Sequence, residues 1–286
     1  MNWMKYRYLY FLISLIVIVP GVISLFKYGL KLSVEFTGGS VIQVANITLP
    51  APTINERLKD FGITSVSQTA DLVNIRLMPI SQEQLNQIKT ILSVKDEDVV
   101  NFETVGPVLG FETIKKTLTG IVIASTLILI FIARAFREIK YGIAAVIAMF
   151  HDTLILIGVF SLLGHFFGLE TDLLFVTAVL TTLSFSVHDT IVVYDRIREL
   201  SRHHSGISLQ NLANKAITET IVRSLNNSLT IILMLTSLFL LGGETTRNFA
   251  LALLIGTVAG TYSSPFTATP LLVVWDQLSS SLRRKK

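Results

Sequence analysis

Cysteine is absent from all 286 residues, so neither a disulfide framework nor a thiolate metal site can form. Charge is scarce. Only 15% of the residues are Asp, Glu, Lys or Arg, where a soluble domain carries about 25%. No Walker-type glycine-rich lysine loop occurs, which excludes a nucleotide-driven motor of that kind within the chain. No Gly-x-Ser-x-Gly elbow occurs either, which removes the usual serine-hydrolase signature. Any work done here must draw on an ion gradient or on another protein's ATPase. What the chain has instead is apolar surface: 51% of the residues are hydrophobic and the mean hydropathy is +0.61. Such a chain is an integral membrane protein.

Six apolar runs are long enough to cross about 30 Å of hydrocarbon as helices. They are Leu9–Phe26, Thr117–Ala133, Tyr141–Phe167, Leu173–Tyr194, Ser224–Gly243 and Phe249–Trp275, the second beginning within 108–116. Cations set the orientation. Lys5 and Arg7 precede span one, and Arg134, Arg137 and Lys140 follow span two. Arg196, Arg198, Arg202, Lys215 and Arg223 lie between spans four and five, and Arg283-Arg284-Lys285-Lys286 ends the chain. The loop 168–172 holds only acids, and 242–248 balances Glu244 against Arg247. Both termini are therefore expected on the cytoplasmic side, with residues 28–115 outside. Span one lacks a small-x-small cleavage site and reads as an uncleaved anchor.

Residues 28–115 are the one sizeable extramembrane piece. Alternation predicts strands over Leu32–Phe36 and Val41–Ala45, joined by a tight turn at Thr37-Gly38-Gly39. A helix is expected over Pro52–Phe61, stopped by Gly62, then a hairpin of Ser65–Thr69 and Leu72–Leu77 turning at Ala70-Asp71. Ser81 with Glu83-Gln84 opens a second helix to Leu92, and Val99–Val105 is the last strand, closed by Gly106-Pro107. Two helices on one sheet give a small ferredoxin-like α+β domain. It contains no cluster of His, Asp and Glu, so it reads as a binding or lever domain without an active site. The expected organisation is 1–27 as cytoplasmic N-terminus and span one, 28–115 outside, 116–275 as spans two to six and 276–286 as a basic tail. A cytoplasmic loop at 195–223 carries an amphipathic helix, Leu209–Val222, with Leu212, Ala213, Ala216, Ile217 and Ile221 on one side.

Asp189 is the residue that most needs explaining. It is the only charge in Leu173–Tyr194, and a mid-bilayer aspartate costs roughly 2.5–3.5 kcal/mol to insert. Three readings stand: a proton carrier, a carboxyl held by Ser or Thr neighbours, and half of an aspartyl protease pair. Such proteases carry Gly-x-Gly ahead of the second Asp, whereas Ser186-Val187-His188 stands here, which argues against the third. Asp152 in span three is as consistent with a hydrogen-bonded structural role as with a relay. Phe150-His151-Asp152-Thr153 echoes Val187-His188-Asp189-Thr190, a match too short to show duplication. His151 and His188 read first as satisfied interior histidines, and His203-His204 as solvated. Arg223 opens span five either as a snorkelling interfacial cation or as a partner of Asp189. Asn226, Asn227 and Thr230 carry polarity into that span, usually a sign of helix–helix contact.

Several strings together resemble the SecD/SecF family of protein-export translocase subunits, and its SecF branch within the resistance–nodulation–division superfamily. They are Val34-Glu35-Phe36-Thr37-Gly38-Gly39, Val105-Gly106-Pro107, Ala148-Met149-Phe150-His151-Asp152, His188 through Glu199, and Gly242-Gly243-Glu244 through Thr261-Tyr262-Ser263-Ser264. The match runs in order along nearly the whole chain. Two strings depart from it: Glu35 stands where the family usually has Asp, and Ser184-Phe185-Ser186-Val187-His188-Asp189 stands where it often has Gly-Tyr-Ser-x-Asn-Asp, with His188 in place of Asn. The resemblance implies an α-helical membrane protein with six transmembrane helices and one ferredoxin-like extracytoplasmic domain between spans one and two. It implies a non-enzymatic subunit, without cofactor, metal or nucleic acid, that uses the proton gradient to assist export after the ATPase motor. Implied partners are SecD, the Sec translocon channel and the translocating unfolded polypeptide, in the bacterial inner membrane. Proton conduction would fall to Asp189 and Arg223, with Asp152 a further candidate and Gly38 and Gly39 a structural turn. Two other classes remain. A small-molecule antiporter of the superfamily would carry twelve spans and two large external domains, and a purely structural subunit would use Asp189 for packing alone.

Overall fold

The computed structural model describes residues 1–284 except 48, 70, 71, 137, 204 and 205. The predicted turn at Ala70-Asp71 and the positions Arg137, His204, Lys285 and Lys286 thus fall outside the described residues. The chain divides into two compact units, 1–31 with 121–286, and 32–120.

The smaller unit is built on a four-stranded antiparallel sheet. Its strands are β1 (Gly39–Ala45), β2 (Ile63–Thr69), β3 (Leu72–Leu77) and β4 (Val99–Val105), in the order β2-β3-β1-β4. Helices α3 (Ala51–Arg57) and α4 (Gln82–Leu92) complete the ferredoxin-like succession of strand, helix, two strands, helix and strand. The period-2 pattern puts Ile42, Val44, Val73, Ile75 and Leu77 on one face, packed with Ile54, Leu58, Leu85, Ile88 and Leu92 from the helices. α4 begins at the expected capping box: Ser81 Oγ accepts from Gln84 N at 3.3 Å, and Gln84 Oε1 from Ser81 N at 2.9 Å.

One predicted strand is not there. Leu32–Phe36 forms an isolated bridge at Leu32, followed by a helical turn, α2 (Val34–Thr37). Three residues of alternation cannot hold an extended chain when local bonds close it. Gly38 N donates to Val34 O at 2.8 Å, and Thr37 Oγ1 to Ser33 O at 3.1 Å. Gly38, at φ +72°, ends that turn, and Gly39, at φ +118°, enters β1. The two glycines therefore join a helical turn to a strand. A Cβ on Gly38 would lie 2.7 Å from Pro107 Cα, and one on Gly110 would lie 2.7 Å from Phe36 O. The turn is thus pressed onto the first turn of α5 (Pro107–Phe136).

The larger unit is helical, with α1 (Arg7–Tyr28), α6 (Ile139–Phe167), α7 (Leu173–His203), α8 (Leu209–Leu241), α9 (Glu244–Ser263) and α10 (Thr269–Arg284). Among the described residues six helical segments are long and apolar enough to cross a membrane, as the six runs predict. Small residues set the tightest crossings. Gly21 of α1 meets Gly158 of α6 so closely that a Cβ on Gly158 would lie 2.7 Å from Gly21 Cα. Ser24 and Ser161 share a 2.8 Å hydrogen bond beside that crossing. On α9, Gly256 makes room for Thr182 of α7.

Two boundaries differ from those expected. The amphipathic stretch Leu209–Val222 continues unbroken into span five as α8, because no glycine or proline separates them. Its Leu212, Ala213, Ala216 and Ile217 are buried against the bundle. The sixth run is not one regular helix: a π-helical segment, Ser264–Ala268, divides α9 from α10 at Pro265. Proline removes a backbone donor and clashes with the preceding turn, which favours such a widening.

Candidate functional site

Two groups of polar side chains lie within the helical unit. The first surrounds Asp189. This residue is half-buried on α7, between an exposed His188 and a buried Thr190. Asp189 Oδ2 accepts from Ser224 Oγ of α8 at 2.9 Å, and Ser228, one turn on, also faces the carboxyl. Arg223 does not join it. Among the described residues no ion pair links Arg223 to Asp189, and Arg223 lines a cleft with Arg196, Glu199, Glu219 and Thr220. Helical phase is the reason. Neighbours on a helix point about 100° apart, so turning Ser224 toward Asp189 turns Arg223 toward the Glu219 side. In that cleft Arg196 Nε donates to Glu219 Oε2 at 2.6 Å and Arg196 also pairs with Glu199. The exposed face of α8 continues from Arg223 through Asn226, Asn227 and Thr230.

The second group is fully enclosed. Asp152 has no exposed surface, and His151 beside it is buried. His151 Nδ1 and Asp152 Oδ1 are 2.9 Å apart, and His151 Nε2 and Ser14 Oγ 2.8 Å. Ser263 Oγ donates to Asp152 Oδ2 at 2.6 Å, and Ser14 meets Thr267 at 3.4 Å. Helices α1, α6 and α9 and the π-helical segment are thereby tied around one carboxylate. The next residue, Ser264, meets Thr190 of α7 at 3.1 Å. His151 and Asp152 are legible as candidates in the sequence, but Ser14 and Thr267 are not, and Ser263, Ser264 and Thr190 stand there only inside longer strings. A signal existed for the first: Ser14 and Ser24 are the only serines in the run Leu9–Phe26. Pro265 after Ser263-Ser264 marked the irregular helix. Among the described residues there is no cluster of His, Asp and Glu that could hold a metal ion.

Residues 85–278 match the family described as protein export membrane protein SecD/SecF, C-terminal, and residues 23–45 match the SecD/SecF GG motif. The chain belongs to the SecD/SecF family. Within it, relatives named protein translocase subunit SecF are similar end to end. The one from Thermobaculum terrenum is 41% identical, the match covering 95% of this chain and 93% of that protein. The one from Anaerolinea thermophila is 40% identical over 96% and 94%. The crystal structure of SecDF, a translocon-associated membrane protein from Thermus thermophilus, superposes with a TM-score of 0.86 at 30% identity. That match covers 97% of this chain but 39% of the SecDF chain, so SecDF is much the longer protein. The GG motif contains Gly38 and Gly39, whose conformation and clearance are described above. This SecF-family chain is thus an integral membrane protein with six spanning helices and a four-stranded domain between the first and second.

Proposed function

We propose that this chain is an accessory subunit of the Sec protein translocase that works with a SecD partner and uses the proton gradient to assist export after the ATPase motor. It has no catalysis of its own in this reading. The observation that carries it is the polar face on α7 and α8. Half-buried Asp189 lies against Ser224 of α8, and Arg223, Asn226, Asn227 and Thr230 are exposed along that helix where it enters the apolar run of span five. A lone chain would leave these groups in lipid, where polar and ionisable groups are expensive. A second membrane-embedded half would cover them and enclose a carboxyl able to bind and release a proton. Each proton crossing releases about 2.3 kcal/mol per 100 mV of membrane potential. The positive charges near both termini and in 195–223 support cytoplasmic termini in the inner membrane. The outer domain then faces the emerging unfolded polypeptide and the translocon. Arg223 acts in the same polar stretch, as a cation at the mouth of the Asp189 site.

The test is Asp189→Asn, nearly isosteric and unable to ionise. In inverted membrane vesicles it is expected to abolish gradient-stimulated export while still co-purifying with the six-span partner. Export at the wild-type level would refute the proton role.

A further inference from the structure

We propose that the buried His151–Asp152 pair is a second proton-binding site, holding one exchangeable proton as a unit, with Ser14 and Ser263 as its positioning residues. Electroneutrality is the first argument. Asp152 is wholly enclosed, and among the described residues no lysine or arginine forms an ion pair with it. An ionised carboxylate alone in such a place is prohibitively costly, so the group is neutralised or paired. Among the described residues, the cation that can form in contact with it is His151, at 2.9 Å.

Geometry is the second. The 2.6 Å bond from Ser263 Oγ falls in the range of a charge-assisted O–H···O⁻ contact, which fits an ionised Asp152 beside an imidazolium. In that state His151 donates from Nδ1 to Asp152 and from Nε2 to Ser14 Oγ, which lies 2.8 Å away. Loss of the Nε2 proton leaves the enclosed pair with one net negative charge, so the proton is held until water or a counter-charge reaches the site. Ser14 can then reverse its hydroxyl and donate to Nε2 while Nδ1–H stays on Asp152, which keeps both bonds of the ring.

Among the described residues, no other titratable group of the packed helices forms an ion pair with Asp152. Tyr262 of α9 stacks over His151 with centroids 6.5 Å apart, its hydroxyl donating to Tyr10 O of α1 at 2.8 Å. On α7, Asp189 bonds to α8, His188 is exposed, and Tyr194 donates to Ala268 O. On α10, Asp276 pairs with Lys140. The site is therefore separate from Asp189 and stands whether or not Asp189 carries protons.

The test uses the purified full chain in lipid nanodiscs, with ring-¹⁵N histidine and ¹³C-carboxyl aspartate, across a pH series. Expected in the wild type is an imidazolium signal that His151→Gln removes and that Asp152→Asn also removes. In His151→Gln the proton is expected on the carboxyl instead, as a new protonated-carboxyl infrared band that the His151→Gln/Asp152→Asn double variant lacks. If neither signal occurs at any pH where the chain is folded, the pair binds no exchangeable proton and the proposal falls. Ser263→Ala keeps both titrating groups and is expected to move the pH at which the His151 signal converts. An unmoved midpoint would overturn the positioning role of Ser263.

Discussion

Gly38 offers a sharp test of the outer domain. At φ +72° and ψ 166° it occupies a region that side-chain-bearing residues avoid at a cost of about 1–3 kcal/mol. A Cβ there would also lie 2.7 Å from Pro107 Cα and 3.0 Å from Pro107 N, both backbone atoms that cannot swing aside. Overpacking of this kind adds about 1–3 kcal/mol. Gly38→Ala is therefore expected to cost about 2–6 kcal/mol. A domain of this size has roughly 5–10 kcal/mol to lose. With a urea m-value near 1 kcal/mol per molar, the unfolding midpoint should fall by about 2 M or more. Pulse proteolysis of the full chain in detergent, following cleavage within residues 40–105, reads that midpoint. Gly39→Ala, with φ +118° and Leu77 O 2.9 Å from the new Cβ, is expected to behave alike. Gly106→Ala is the control, because nothing lies within 4 Å of its Cβ position and its φ is ordinary. A Gly38→Ala midpoint equal to that of Gly106→Ala would refute the strained contact between the glycine turn and the start of α5.

Ser224→Ala and Asp189→Asn should be coupled by about 0.5–3 kcal/mol in a double-mutant cycle on the stability of the detergent-solubilised chain, because the two side chains share a hydrogen bond. Purely additive destabilisation would show that the bond is not made in the folded chain. Arg223→Ala should weaken export, and Arg223→Lys should restore it only in part, since lysine lacks the planar fork; full rescue would reduce Arg223 to a point charge. Gly158→Leu should lower the melting temperature of the detergent-solubilised chain by several degrees, because its Cβ would lie 2.7 Å from Gly21 Cα; an unchanged melt would mean that α1 and α6 separate freely.

Much of the fold is legible in the sequence, because period and length are strong signals. Six apolar runs become six spanning helices, and Ser81 with Gln84 marks the start of α4 to the residue. What fails is decided by phase and by distance along the chain. Arg223 and Ser224 differ by a single position in their distance from Asp189 along the sequence. Only the rotation of α8 determines that the serine, and not the arginine, reaches the carboxyl. Ser14 lies 137 positions from His151, and no local pattern records that contact. Hydroxyls in apolar runs are moreover ambiguous by nature. Thr126 and Thr181 donate to carbonyls four residues back on their own helices. Ser263 looks the same in sequence, yet it holds Asp152.

The π-helical segment gives these separate observations a common frame. Ser263 bonds to Asp152 on α6, and Ser264, the next residue, meets Thr190 on α7, which is itself the neighbour of Asp189. Thr267 meets Ser14, and Thr269 Oγ1 donates to Ser264 O at 3.0 Å. One irregular turn of span six is therefore tied to the helices that carry both intramembrane carboxyls. A regular α-helix would satisfy its own carbonyls and place successive side chains at fixed angles. The widened turn at Pro265 relaxes that spacing and lets two consecutive serines serve different helices. A change in the hydrogen bonding of Asp152 reaches Ser263 as well as His151, and a displacement of α7 reaches Ser264. A single peptide bond joins those serines, so the hydrogen bonds made to Asp152 and to Thr190 share one backbone unit.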